Sequence, residues 1–123
     1  MNIIAKNNCA KVQRLMRKEK NEVDFMLVNF DYINGIDIIA ELLCRKFNMH
    51  AKEKIEGIWF SIIKVYDDSV EYDLIWHEDV GNYITCSKQD EETLSQLESR
   101  LEIILREMND GIKENNNQNF CFS

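Results

Sequence analysis

Cys86 and His77 are the two residues whose types could support nucleophilic catalysis. If residues 78–82 close a β-hairpin, the two side chains are expected to lie diagonally on the same face, within reach of each other. A thiol beside an imidazole can be activated as a nucleophile, and Asp79 could orient the ring. Nothing nearby suggests an oxyanion hole, and a cysteine in a strand more commonly fills core space. A thiol-dependent or nucleic-acid-processing enzyme is therefore an alternative that the sequence leaves open.

The sequence lacks the residue patterns that other catalytic sites and metal sites require. Zinc sites use Cys and His at short spacing, whereas His50 and His77 are isolated and the four cysteines are scattered. The carboxylate pairs at 67–68 and 78–79 fall in predicted turns, while general acid–base catalysis needs a carboxyl group in a cleft. The four glycines form no phosphate-binding loop. We therefore expect no enzymatic activity, no metal and no cofactor.

The net charge of −7 is distributed unevenly along the 123 residues. Residues 6–20 contain six bases and one acid, whereas the chain from residue 21 onward contains 21 acids and nine bases. Residues 67–92 alone contain nine acids and one base. A surface of one charge sign accelerates encounter with a partner of the opposite sign and disfavours nucleic acid. The alternative is that these acids only keep the protein soluble.

Aromatic side chains accompany the acids of this segment. Aromatic residues are enriched among the anchor residues of protein interfaces, and surrounding acids can steer a basic partner. The alternative is that Trp59, Tyr72 and Trp76 line the core beneath the helices. We expect the following residues to contact a partner: Asp67, Asp68, Glu71, Asp73, Trp76, His77, Glu78, Asp79, Tyr83, Asp90 and Glu91.

A basic helix is the first predicted element of the chain. Asn8 can cap it, and Val12, Leu15 and Met16 follow at helical spacing. Its bases lie on overlapping helical faces: Lys11, Arg14, Arg17 and Lys18. Such a patch could meet phosphates, but the acidic remainder of the chain opposes this. We expect the patch to be solvated, or to pair with the acidic helix of the same protein.

A strand, a helix and a β-meander are predicted next. Residues 23–30 are apolar on both faces, which is typical of a buried strand, and residues 34–48 carry a helical stripe behind a capping Asn34. The meander consists of three segments rich in β-branched and aromatic residues, 58–66, 70–77 and 83–87. In the middle segment apolar and polar residues alternate, so its two faces should differ in polarity.

The last predicted helix completes an α+β domain. It begins at Ser87 or Asp90 with acids in its first turn, carries a leucine-rich stripe, and is expected to end near Gly111. The predicted order is α-β-α-β-β-β-α, with an antiparallel β-meander packed against the helices. We expect a single domain over residues 1–112 and a polar C-terminal tail over residues 113–123.

The sequence also gives expectations about the compartment. It lacks both the run of ~18–20 apolar residues that spans a bilayer and the apolar core of a secretory signal at its N-terminus. The cysteines, Cys9, Cys44, Cys86 and Cys121, form no paired motif, so we expect them to be reduced. A cytoplasmic protein that contacts no membrane is the resulting expectation.

Residues 55–87, followed by the acidic-capped helix, resemble the immunity proteins of bacterial contact-dependent growth inhibition systems. The resemblance lies in size, acidity and layout, and it covers about two thirds of the chain. It implies a cytoplasmic protein that binds one cognate toxin, commonly a basic nuclease, and blocks its active site or substrate surface. The acids would then take the place of nucleic-acid phosphates, and no catalytic residue is expected.

A type III secretion chaperone is a second alternative of the binding class. Such chaperones are likewise small, acidic and α+β, and they are usually dimers. A dimer interface would need an exposed apolar helix face, which the last helix could supply only if its stripe is wider than the core requires.

Overall fold

A computed structural model describes residues 9–19, 21–30 and 34–116, with side chains up to residue 109. In these ranges the chain is a small α+β domain, in which an antiparallel sheet of seven strands carries two helices. The strands are β1 (Lys11–Arg17), β2 (Glu22–Val28), β3 (His50–Ala51), β4 (Ile55–Glu56), β5 (Phe60–Tyr66), β6 (Glu71–His77) and β7 (Gly81–Cys86). The helices are α1 (Gly35–Phe47) and α2 (Glu91–Asn116).

The sheet has the order β1-β2-β7-β6-β5, and its last edge is formed by two short strands. Both β3 and β4 pair antiparallel with β5, at opposite ends of it. The predicted meander is confirmed as β5-β6-β7, which forms the centre and one side of the sheet. Because β7 pairs with β2, the N-terminal hairpin β1-β2 extends the same sheet on the other side.

Both helices pack on one face of the sheet. A row of directly paired residues on that face, Phe25, Ile84, Leu74 and Ile63, crosses four strands and is buried. The apolar stripes of the helices cover it with Ile36, Ile39 and Leu43 from α1, and with Leu94, Leu97, Leu101, Ile104 and Leu105 from α2. Each such side chain contributes about 1.5–3 kcal/mol when it is fully buried, so this layer carries most of the stability.

Local sequence explains the helix ends, except that Asn34, the predicted cap of α1, makes no side-chain capping hydrogen bond. In α1, Asp37 lies in the first turn, Arg45 and Lys46 lie in the last, and Asn48 adopts the left-handed conformation that ends many helices. Asp90 caps α2, since its carboxylate accepts a hydrogen bond of 3.0 Å from the Thr93 backbone N–H. The helix continues past Gly111, the predicted end, to Asn116. The rest of the predicted tail, residues 117–123, lies outside the described residues.

The first element of the described chain is a strand, so the predicted N-terminal helix is wrong. Residues 11–17 pair over their whole length with β2, and all seven register pairs are antiparallel. The spacing of Val12, Leu15 and Met16 is helical, although Val12 and Met16 also fit strand alternation; pairing with the neighbouring strand satisfies the backbone of this segment. The predicted cap, Asn8, lies outside the described residues.

Neither helix of the described chain has an apolar stretch long enough to cross a membrane. The 26-residue α2 has the length, but charged residues recur along it.

Candidate functional site

The predicted contact residues do not form one surface. The β5–β6 turn with Asp67 and Asp68 lies at one end of the sheet, and the β6–β7 turn with Glu78 and Asp79 lies at the other. Seven residues of β6 separate the two turns, a span of roughly 20 Å at ~3.3 Å per residue. The two turns therefore belong to separate surfaces.

Three acids at the β5–β6 end, Asp67, Glu71 and Asp73, are engaged within the protein. The Asp67 carboxylate accepts hydrogen bonds from the backbone N–H groups of Ser69 and Val70, at 2.8 and 3.0 Å, and so shapes the turn. Lys64 lies between the carboxylates of Glu71 and Asp73, at 3.3 and 2.9 Å. The hydrogen bond to Asp73 is the main reason that the pKa of Lys64 is raised.

Asp90 and Glu91 also have structural roles at the start of α2. The pKa of Asp90 is lowered because its carboxylate accepts hydrogen bonds from Thr93. Glu91 forms an ion pair of 2.8 Å with Arg14 of β1, and this contact lowers the pKa of Glu91 to about 2. Arg14 also contacts Glu98 at 2.8 Å. The expected pairing of the basic segment with the acidic helix is thus observed for Arg14.

The sheet separates Trp76 from His77 and Tyr83. Trp76 pairs with Ser61 and Asn82 on the helix-side face and is partly buried against the core. Tyr83 and His77 lie on the opposite face, in register with Ile75 and Phe60. The core alternative therefore applies to Trp76, and also to Tyr72, which is fully buried.

The sheet face opposite the helices, here called the open face, carries an apolar row. Direct register pairs connect Met26 of β2 to residues of β7, β6, β5 and β4 in turn: Tyr83, Ile75, Ile62 and Ile55. No described helix packs on this face. Neighbouring strands are ~4.8 Å apart, so the row extends for about 20 Å across the sheet. Its far end, at Ile55, lies beside the β4–β5 loop, which carries the exposed Ile58 and Trp59.

Five large apolar residues are exposed at this end, and together they are called the tip surface: Ile55, Ile58, Trp59, Phe60 and Val80. Residues 57–59 connect β4 to β5. Because Gly57 is hydrogen-bonded to Phe60, Ile58 and Trp59 form a two-residue hairpin loop, and they are 82% and 59% exposed. Hairpin loops of this length usually carry Asn or Gly rather than large apolar residues. This exposure therefore requires a functional explanation.

Backbone hydrogen bonds hold the tip surface in place. The Gly57 N–H donates to the Phe60 carbonyl at 2.8 Å and closes the loop. The Glu78 N–H donates to the Trp59 carbonyl at 2.9 Å, which joins the β4–β5 loop to the β6–β7 turn. Glu78 and Asp79 are exposed beside the apolar residues, and their side chains form no ion pair with any described residue.

The predicted proximity of Cys86 and His77 is wrong. Cys86 pairs with Tyr72 on the helix-side face, whereas His77 pairs with Gly81 on the open face at the other end of the hairpin. Burial raises the pKa of the Cys86 thiol, which opposes formation of a thiolate. Among the described cysteines, Cys44 and Cys86 are free thiols. Cys9 is disulfide-bonded, contrary to the expectation of reduced cysteines.

Two cavities are lined by described residues, and neither forms a competing site. No three His, Cys, Asp or Glu side chains of residues 9–19, 21–30 and 34–109 are grouped as a metal site would require. A polar cleft of about 320 Å³ lies beside Asp67 and His50, and a groove of about 470 Å³ lies between β1 and α2. Neither contains a catalytic arrangement of the kinds considered above.

Gly57 is the one sequence signal for the tip surface, and the predicted start of the strand at residue 58 left it unused. The sequence predicts a single strand over residues 58–66, which would include Ile58 and Trp59, whereas β5 begins at Phe60. Gly57 marks the turn instead, because a Cβ atom there would lie 2.4 Å from Cε1 of Phe60. The ring of Phe60 therefore occupies the space that a side chain at position 57 would need.

The sequence matches no known protein family, and neither a curated protein nor a solved structure is significantly similar to it. The structure defines the chain only as a small α+β domain whose open face carries one apolar row. Its function is therefore inferred from its own geometry and charge.

Proposed function

We propose that this chain is an immunity protein, which binds a basic, nuclease-type protein toxin and blocks its active site or substrate surface. The observation that carries the proposal is the tip surface beside Glu78 and Asp79. It combines exposed large apolar groups with carboxylates that have no ion-pair partner among the described residues.

Each half of this combination favours a protein partner. Exposed apolar patches on a small protein mark interaction surfaces, and tryptophan is prominent among the residues that dominate binding energy. Acids around such a patch steer a basic partner and reject an acidic one. The net charge of −7 also favours a basic protein partner. A negative field repels nucleic acid, and it attracts the basic surface of a protein that binds nucleic acid.

The apolar stripe of α2 favours the immunity proposal over the secretion-chaperone alternative. A chaperone dimer would need part of this stripe to be free, but Leu94, Leu97, Leu101, Ile104 and Leu105 are all buried in the core. The thiol-dependent alternative loses its proposed pair of residues, because Cys86 and His77 lie on opposite faces of the sheet. A cytoplasmic location belongs to the proposal, since a toxin that acts on nucleic acid must be met there.

Co-expression with the product of the gene directly upstream tests the proposal. An immunity gene is expected to follow its toxin gene, so the upstream product should inhibit growth of a sensitive host, and this chain should restore growth. The control is the same host expressing the chain with an unrelated toxin, where no rescue is expected. Persistent inhibition despite soluble expression of the chain would refute the proposed function.

A further inference from the structure

The shape of the β4–β5 loop indicates what kind of partner surface it fits. Ile58 and Trp59 lie at the apex of the loop and are 82% and 59% exposed, so both side chains extend from the protein surface into solvent. Two such apolar side chains bury most area in a recess, since a flat surface would contact only one side of each. The complementary surface is therefore concave and apolar.

The loop is also ordered before any partner arrives. It is closed by the Gly57–Phe60 hydrogen bond and anchored to the β6–β7 turn by the Glu78–Trp59 hydrogen bond. The Phe60 ring packs directly on Gly57, where a Cβ atom would lie only 2.4 Å away. Little conformational entropy remains to be lost when such a loop binds, so its contacts contribute more fully to affinity.

The charges beside the apex of the loop indicate which charge the rim of that recess carries. Glu78 is tied to the loop through its backbone, and Asp79 follows it in the same turn. Lys54, which precedes β4, is paired with Asp37 and Glu56, at 2.9 and 3.3 Å. Carboxylates in this position are complementary to Lys or Arg side chains around the recess.

We infer that residues 57–60 form a preformed wedge that inserts into an apolar recess rimmed by Lys and Arg on the partner protein. This inference rests on the proposed function and adds the contact that would carry it. The open-face row from Ile55 to Met26 continues the contact away from the wedge. A membrane surface would be the other setting for an exposed tryptophan, and the anionic headgroups of bacterial membranes would be repelled by the adjacent acids.

Binding to the purified, catalytically inactivated product of the upstream gene tests the wedge. Trp59→Ala should raise the Kd by at least about 30-fold, which is the effect of removing an interface hot spot. Met16→Ala is the matched control: Met16 is 53% exposed but lies on β1, at the far edge of the sheet. It should change the Kd by less than about twofold. Gly57→Ala should accelerate dissociation, because a methyl group there displaces Phe60.

Tryptophan fluorescence reports insertion directly. The chain has two tryptophans, and Trp76→Phe leaves Trp59 as the only one. Addition of the inactivated upstream product should shift its emission to shorter wavelength and protect it from acrylamide. Unchanged melting temperatures would show that each variant is folded.

The outcomes separate the wedge from the proposed function. If the wild-type chain binds and protects, but Trp59→Ala binds equally well, the wedge is refuted while the function stands. If the wild-type chain neither binds nor protects, both are refuted. Trp59-dependent binding to vesicles of phosphatidylglycerol and phosphatidylethanolamine, without binding to the upstream product, would assign the tip to a membrane and overturn the inference.

Discussion

Reversing one charge at each end of the sheet should distinguish the two candidate contact regions. Asp79 and Asp68 are matched for this purpose, because both are exposed aspartates in turns and neither forms an ion pair with a described residue. Asp79→Lys changes the charge beside the tip surface, and Asp68→Lys makes the same change roughly 20 Å away. Both variants have the same net charge, so a long-range effect of total charge would be equal in them.

Coulomb's law gives the expected difference. A partner cation about 5 Å from Asp79 is attracted to it by about 0.8 kcal/mol in a water-like dielectric. Asp79→Lys turns this attraction into an equal repulsion, so the binding free energy changes by about 1.6 kcal/mol. Screening at 0.15 M salt, with a Debye length of about 8 Å, leaves about 0.9 kcal/mol, or roughly fivefold in the association constant. For Asp68, at about 20 Å, the same calculation leaves less than about 0.1 kcal/mol.

Association kinetics with the inactivated upstream product, measured at several salt concentrations, provide the assay. Asp79→Lys should slow association and flatten its salt dependence, while Asp68→Lys should behave like the wild-type chain. Equal slowing in both variants would mean that only net charge matters. A larger effect at Asp68 would refute the assignment of the contact surface to the tip end.

Three further predictions concern the fold and its titratable groups. Leu74→Ala should lower the free energy of unfolding in urea by about 2–5 kcal/mol, because Leu74 is fully buried at the centre of the sheet; a smaller loss would contradict the helix-side core. Glu91 has its folded-state pKa lowered from 4.5 to about 2, so its stabilising contact is complete above pH 4.5 and is lost as the pH falls towards 2. Glu91→Gln should therefore reduce the acid sensitivity of the melting temperature in that window. Cys86 should react with a thiol reagent at pH 8 much more slowly in the folded chain than in urea, since it is buried and its thiol pKa is raised; equal rates would contradict its burial.

The misassigned first strand illustrates why a local pattern was insufficient. Within residues 11–17 the apolar residues 12, 15 and 16 satisfy helical spacing, whereas 12 and 16 also satisfy strand alternation. Seven register pairs with β2 resolve this ambiguity, and they depend on a turn that reverses the chain near Asn21, where φ is 56°. A pairing partner is not part of the segment itself, so its own sequence cannot decide between the two structures.

The acidic surface illustrates the same limit for the site. Residues 67–92 are close in sequence, but antiparallel strands carry their two turns to opposite ends of the sheet. Lys64, Arg14 and the Asp90 cap then engage several of the acids within the protein. Which carboxylates remain available to a partner depends on contacts between distant segments.

By itself, the sequence determined the α+β class, the meander, the two helices and the alternation of Tyr72 and Leu74 towards the core, because each follows from a local period or a local cap. Tertiary structure alone decided the strand identity of residues 11–17, the separation of Cys86 from His77, and the gathering of Trp59, Val80 and Asp79 at one end. These depend on strand register and on which segments become neighbours, and both are fixed by the burial of one shared core rather than by any single segment.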